Sequence, residues 1–181
     1  MKIQIEDIEK HNGIPVMWKT GHSYIKQKAK EVNAALAGER SGHIFYRQGY
    51  YGYDDAIWAS LKLLEYLSNT DKPLSEIMLT TPQYITSPAW HVDCPDEVKY
   101  EVVDKLVKEF KEEYGNDRVI DINGARVKFK DGWGLVRASS NLPVLVLVFE
   151  STTDKGLNDI ENIFRQKLIK YPEVGKKWIS G

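Results

Sequence analysis

A single cysteine in 181 residues excludes any intramolecular disulfide. That residue, Cys94, fits a reducing compartment and reads as a small core residue near a strand end. No apolar run approaches the ~20 residues that a transmembrane helix needs. The longest, Pro143 to Phe149, is far shorter, and no signal-peptide-like segment opens the chain, so the expected location is cytoplasmic. Charge of one sign is also not in excess. Lys and Arg number 25 against 26 Asp and Glu, a net charge of -1 with no block of like charges, which argues against nucleic acid or an anionic membrane as a partner. His11, His22, His43 and His91 form no HxxxH pair, and without a CxxC the spacing supports no metal site. A serine hydrolase is unsupported for want of a G-x-S-x-G elbow. There is no internal repeat and no low-complexity segment.

What is present suffices for a folded chain. Apolar residues make up 42% of it, enough for one ordinary domain or two small ones. Ile3, Ile5 and Ile8 form an opening segment closed by Asn12-Gly13, and Pro15 to Trp18 reads as a buried strand. Ser23 is placed to cap a helix running to about Ala35, and Ile44 to Tyr46 reads as a strand. Asp54 is placed to cap the next helix, whose Ile57, Leu61, Leu64 and Leu67 recur at helical spacing as a core face, with Asn69 closing it. A short helix over Leu74 to Leu79 precedes Thr81-Pro82 and Ser87-Pro88, which mark a connection, so a domain boundary is expected near residue 80.

The second part has another rhythm. Trp90 to Cys94 reads as a strand, followed by a helix capped by Asp96 with Val98, Val102, Leu106 and Phe110 on one face. Strands follow at about Val119 to Ile122, Ala125 to Phe129, Gly134 to Arg137 and Val144 to Glu150. Asp154 then caps a last helix with Leu157, Ile160, Phe164 and Leu168 inward. This order implies an α+β layer pair, an antiparallel sheet covered by helices on one side.

Two stretches carry chemistry. Gly38-Glu39-Arg40-Ser41-Gly42-His43 sets a carboxylate, a hydroxyl and an imidazole in a loop bracketed by glycines. A carboxylate accepts hydrogen bonds and a hydroxyl both donates and accepts, which suits vicinal sugar hydroxyls. A Gly-flanked polar turn is more often only a turn, so its neighbours matter. These are Trp18-Lys19-Thr20-Gly21-His22-Ser23 upstream and Tyr53-Asp54-Asp55 downstream. Far along the chain, Arg137-Ala138-Ser139-Ser140-Asn141 ends a β-branched run, and a guanidinium beside hydroxyls and an amide suits phosphate. Arg137 in a surface ion pair and Ser-Ser-Asn as turn chemistry are the plainer readings.

In combination, the Lys19 to Ser23 segment, the G-E-x-S-G-H loop, Tyr53-Asp54-Asp55 and Gly132-Trp133-Gly134-Leu135-Val136-Arg137-Ala138-Ser139 resemble the α-D-phosphohexomutases, in their phosphomannomutase/phosphoglucomutase branch. The resemblance covers nearly the whole chain. It implies reversible transfer of phosphate between the 6- and 1-positions of a hexose through a bisphosphorylated intermediate, with a phosphoserine and Mg²⁺ in the full-length enzyme. It implies an incomplete α/β domain 3 over residues 1–80, carrying the sugar loop. Over residues 81–181 it implies domain 4, an α+β unit of TATA-box-binding-protein-like form with an antiparallel sheet and helices on one face. By the same resemblance Glu39 and Ser41 bind the sugar's 3- and 4-hydroxyls, His22 and His43 line the cleft near the reacting end, and Arg137, Ser139, Ser140 and Asn141 hold the phosphate that is not reacting.

Two departures qualify it. The family loop continues Arg-Ala-Ser-Asn-Thr where this chain has Ser140 and Asn141, which implies altered but retained phosphate binding. The family's phosphoserine loop, T-A-S-H-N-P-like, and its metal loop, D-G-D-G-D-R-like, are absent from the 181 residues. The expectation is therefore a C-terminal portion that binds hexose phosphates, has no catalytic residue or metal site of its own, and is inactive alone. Its expected partners are the missing N-terminal domains or a second copy. The alternatives are a non-catalytic phosphosugar-binding module and a structural remnant.

Overall fold

A computed structural model describes residues 2–81 and 83–181. The chain divides into two compact units, Ile3–Pro82 and Gln83–Gly181. Pro82, read above as part of the connection, lies outside the described residues.

The first unit opens with helix α1 (Lys2–Lys10). Pro15 to Trp18 forms no strand, since Ile14, Val16 and Trp18 are exposed and lack a ladder partner. Trp18 instead lies 4.3 Å beneath the Lys28 ammonium. Helix α2 (His22–Glu31) begins after Gly21, whose φ of 123 is a glycine conformation, so Ser23 lies inside the helix rather than at its cap. Asn33, at φ 50, ends the segment short of Ala35. Strands β1 (Leu36–Gly38) and β2 (Ile44–Tyr46) pair antiparallel, with Gly38 opposite Ile44, and so pinch residues 39–43 into a hairpin loop. Phe45 is the large buried side chain among the described residues of this unit.

Helix α3 (Ala56–Ser68) is capped by Asp55, whose carboxylate accepts from the Trp58 amide at 2.9 Å. Asp54, one residue earlier, is bridged to Phe45 and serves the hairpin instead. The apolar stripe of α3 is not core: Ile57 is 77% exposed, Leu61 54% and Leu64 60%. Helical spacing reports that an apolar face exists, but burial requires a second layer over it, and among the described residues none covers this one. The helix is held through its other side, where Trp58 stacks on Tyr50 at 4.3 Å. Helix α4 (Leu74–Met78) follows.

Tyr50 donates to Asp55 at 2.6 Å and, with the Trp58 amide, holds that carboxyl below the ordinary carboxylate value of 3.8. The cap's stabilisation is therefore complete above that value and lost as pH falls through the lower, folded one. Asp55→Ala is expected to reduce α3 helicity at pH 7, with the gap from the parent chain closing below about pH 4. Far-UV circular dichroism from pH 7 to pH 2 checks this, and a gap that persists at the acid end contradicts it.

The second unit is a single antiparallel sheet with two long helices. Its strands are β3 (Ile85–Thr86), β4 (Trp90–Asp93), β5 (Val119–Ile120), β6 (Ala125–Lys128), β7 (Gly132–Ala138), β8 (Val144–Ser151) and β9 (Trp178–Ser180). They lie in the order β5-β6-β7-β8-β4-β9, with β3 also on β8. β3 and β9 are too short to leave a pattern in the sequence.

Helices α5 (Lys99–Tyr114) and α6 (Asp154–Leu168) bury Val102, Leu106 and Phe110, and Ile160, Phe164 and Leu168, against Val127, Val136, Leu145, Leu147 and Phe149. Alternate residues of β6, β7 and β8 supply that face, as the period of two requires. Cys94 lies in the same core. Asp96 does not cap α5, whose first flanking residue is Val98; its carboxylate binds the Lys99 ammonium instead. Thr153, not Asp154, caps α6 by accepting from the Gly156 amide at 3.0 Å.

Candidate functional site

The hairpin loop closes on itself. The Glu39 amide donates to the His43 carbonyl at 2.9 Å and the Gly42 amide to the Glu39 carbonyl at 3.1 Å, with Gly42 at φ 92. This fixes where Glu39 and Ser41 stand relative to each other without using either side chain. The Asp54 carboxylate then locks the base of the loop, accepting from the Ile44 amide at 3.2 Å and from His43 Nδ1 at 2.5 Å. Against a carboxylate the ring nitrogen is the donor, so the proton sits on Nδ1 and Nε2 is the acceptor of neutral His43.

Gly21 brings His22 to the first position of α2 beside this loop. His22, Glu39, Ser41 and His43, drawn from a helix and a hairpin, thus line one cavity of about 360 Å³ together with Lys26, Phe45 and Asp54. Sequence reasoning missed two of these. Lys26 is four residues beyond His22 and so on the same helical face, a signal available once the helix start is known. Asp54 was legible as a helix cap and as part of the Tyr53-Asp54-Asp55 motif but not as the partner of His43, which is 11 residues away. The mixture of one ammonium, two carboxylates, two imidazoles and a hydroxyl offers both donors and acceptors, which suits a polyol.

The other predicted group lies in the second unit, at the end of β7. Arg137 is half-buried and donates to the Ala138 carbonyl at 3.3 Å. Ser139 is buried, and its oxygen accepts from the Asn141 amide at 3.3 Å and the Leu142 amide at 3.2 Å. With both lone pairs so engaged, the Ser139 hydroxyl keeps one proton to donate to an anion. Ser140 and Asn141 are exposed and bonded to each other at 3.2 Å. Arg137 thus stands near the end of β7, opposite Val146, and Ser139, Ser140 and Asn141 form the turn that follows it.

The larger cavity, about 570 Å³, is also in the second unit, lined by the β4–α5 turn, Pro143 and residues 172–175. Its ionisable lining is acidic, namely Asp93, Asp96, Glu97 and Glu173, which opposes any phosphorylated ligand. Among the described residues no group of three or more His, Cys, Asp or Glu side chains is arranged to hold a metal ion. No helix among the described residues is long and apolar enough to cross a membrane.

The fold class is a layered α/β portion followed by an antiparallel α+β domain. Residues 3–84 match the alpha/beta/alpha domain III of phosphoglucomutase/phosphomannomutase, and residues 92–167 match the C-terminal domain of the same proteins. The chain belongs to the phosphoglucomutase/phosphomannomutase family. It is 43% identical over 168 residues to a phosphomannomutase/phosphoglucomutase of Pseudomonas putida, covering 92% of this chain and 36% of that protein. A phosphoglucomutase of Neisseria meningitidis serogroup A is 40% identical over 168 residues, with the same coverage of 92% and 36%. A crystal structure of a phosphoglucomutase/phosphomannomutase family protein from Burkholderia thailandensis superposes with a TM-score of 0.81 at 36% identity, covering 92% of this chain and 35% of that one. The chain thus spans about a third of the length of these relatives.

Proposed function

We propose that this chain is the substrate-gripping portion of a phosphohexomutase that interconverts hexose 6-phosphate and hexose 1-phosphate. Residues 1–80 are the later part of domain 3 and grip sugar hydroxyls through Glu39 and Ser41, with His22 and His43 beside them. Residues 81–181 are domain 4 and hold phosphate through Arg137, Ser139, Ser140 and Asn141. The observation that carries this reading is that His22, Glu39, Ser41 and His43 line one cavity.

A mutase that turns its sugar end for end needs a distal clamp that reads phosphate alone. It also needs a sugar grip that uses hydroxyls common to its substrates. The chain has no T-A-S-H-N-P-like or D-G-D-G-D-R-like sequence. Phosphoryl transfer rests on a positioned donor and neutralised charge, so the serine donor and its Mg²⁺ must come from other sequence. By itself the chain binds hexose phosphate in the cytoplasm and does not turn it over.

Titration calorimetry with mannose 1-phosphate is expected to give binding that weakens about tenfold or more in Glu39→Ala. A coupled mutase assay on the chain with glucose 1-phosphate, Mg²⁺ and hexose bisphosphate is expected to stay at background. Turnover, or the lack of any binding at about 10 mM ligand, overturns the proposal.

A further inference from the structure

The start of α5 holds an ammonium group that the reactions above leave without a purpose. The Lys99 side chain is only 4% exposed. Its Nζ donates to the Asp96 carboxylate at 2.5 Å and, across 43 residues of sequence, to the Leu142 carbonyl at 3.0 Å. Burying an ammonium is unfavourable unless it is paired, and a methionine would occupy similar space without that cost. Besides Asp96 and the Tyr100 ring, whose centre is 5.2 Å from Nζ, the charge touches the turn that follows β7.

The turn depends on few bonds. Ser139 Oγ gathers the Asn141 and Leu142 amides. The Leu142 carbonyl accepts from the Val144 amide at 2.8 Å as well as from Lys99. Pro143, having no N–H, contributes only a carbonyl, which the Cys94 amide binds at 2.9 Å. The peptide between Leu142 and Pro143 can thus present nothing but an oxygen. An oxygen facing an anion repels it, and the Leu142 carbonyl is instead drawn to the buried ammonium and the Val144 amide.

We propose that Lys99, neutralised by Asp96, is a positioning residue for the Arg137–Asn141 loop: it fixes the Leu142 carbonyl in the interior and so sets the loop's donors for phosphate. This rests on reading that loop as the phosphate clamp, and Lys99 itself does not touch the ligand.

The test compares the parent chain with Lys99→Met, Lys99→Arg and Arg137→Ala. The two readouts are amide hydrogen exchange at Asn141 and Leu142, and calorimetric affinity for glucose 1-phosphate. Lys99→Met is expected to lose about tenfold in protection at both amides and about tenfold in affinity, and Lys99→Arg to recover most of each. Parent-like affinity in Lys99→Met, where Arg137→Ala has lost it, overturns the positioning role. If Arg137→Ala binds like the parent, the clamp reading fails instead, and the exchange data still judge Lys99, with unchanged protection counting against it. Should Lys99→Met not fold, the parent chain decides by nuclear magnetic resonance. Glucose 1-phosphate is then expected to move the Lys99 Nζ signal together with that of Arg137, and a Lys99 signal that stays in place sinks the proposal.

Discussion

Phe164→Ala is expected to destabilise the second unit by about 3–5 kcal/mol. The ring is 1% exposed and lies at the centre of an aromatic cluster, 4.7 Å from Phe110 on α5, 5.1 Å from Phe149 on β8 and 6.5 Å from Phe129, centre to centre. Because these neighbours belong to different elements already fixed by the sheet and by α5, the space left by the ring cannot collapse. The cost thus approaches the upper part of the range for aromatic truncation.

Gly134 shows how closely the ring is packed, since a Cβ there would lie 2.4 Å from a Phe164 ring carbon. Gly134→Ala should therefore be destabilising alone and much less so in the Phe164→Ala background, a non-additivity that marks direct contact. Urea denaturation of the single and double variants measures both. A loss below about 2 kcal/mol for Phe164→Ala would mean that the core repacks around the vacancy.

That dependence also explains part of what the sequence displayed. Gly132-Trp133-Gly134, read at first as part of a family signature, is needed by the fold itself. A Cβ at Gly132 would come within 2.0 Å of the Glu150 carbonyl, and one at Gly134 would strike α6. The stripes of α5 and α6 were legible because their partner sheet lies in the same chain, so Val102, Leu106, Phe110, Ile160, Phe164 and Leu168 are all buried.

The stripe of α3 has the same spacing and the opposite outcome, with Ile57 mostly exposed. Periodicity is a property of the helix, whereas burial is a property of what packs on it. The caps were misplaced by a residue or two for a related reason. Asp54 and Asp55, like Thr153 and Asp154, are both chemically able to cap, and only the hydrogen bond to Trp58 or Gly156 selects between them. In the candidate site the contiguous loop from Gly38 to His43 could be read directly. His43 with Asp54 and Lys99 with Leu142 could not, since no local pattern records a pairing across 11 or 43 residues.

Arg137→Ala is expected to weaken binding of a phosphorylated hexose by about 1.5–3 kcal/mol, roughly ten- to a hundredfold. A guanidinium offers a phosphate two parallel donors and a full charge, whereas Ser139 has one hydroxyl proton left and Ser140 and Asn141 are neutral. Most of the loop's charge-assisted attraction therefore lies in one side chain. The contrast with the cavity lined by Glu39, proposed to take the sugar, supplies the control. Glu39→Ala should weaken the free hexose and the hexose phosphate alike, while Arg137→Ala should leave the free hexose untouched and reduce the advantage that phosphate confers. Raising the salt concentration should narrow the same advantage in the parent chain, since a charge pair open to solvent is screened. Calorimetry with mannose and mannose 1-phosphate on the two variants reads both effects. Equal losses for the two ligands in Arg137→Ala would mean that the loop does not bind phosphate, and that the Ser-Ser-Asn turn serves only to connect β7 with β8.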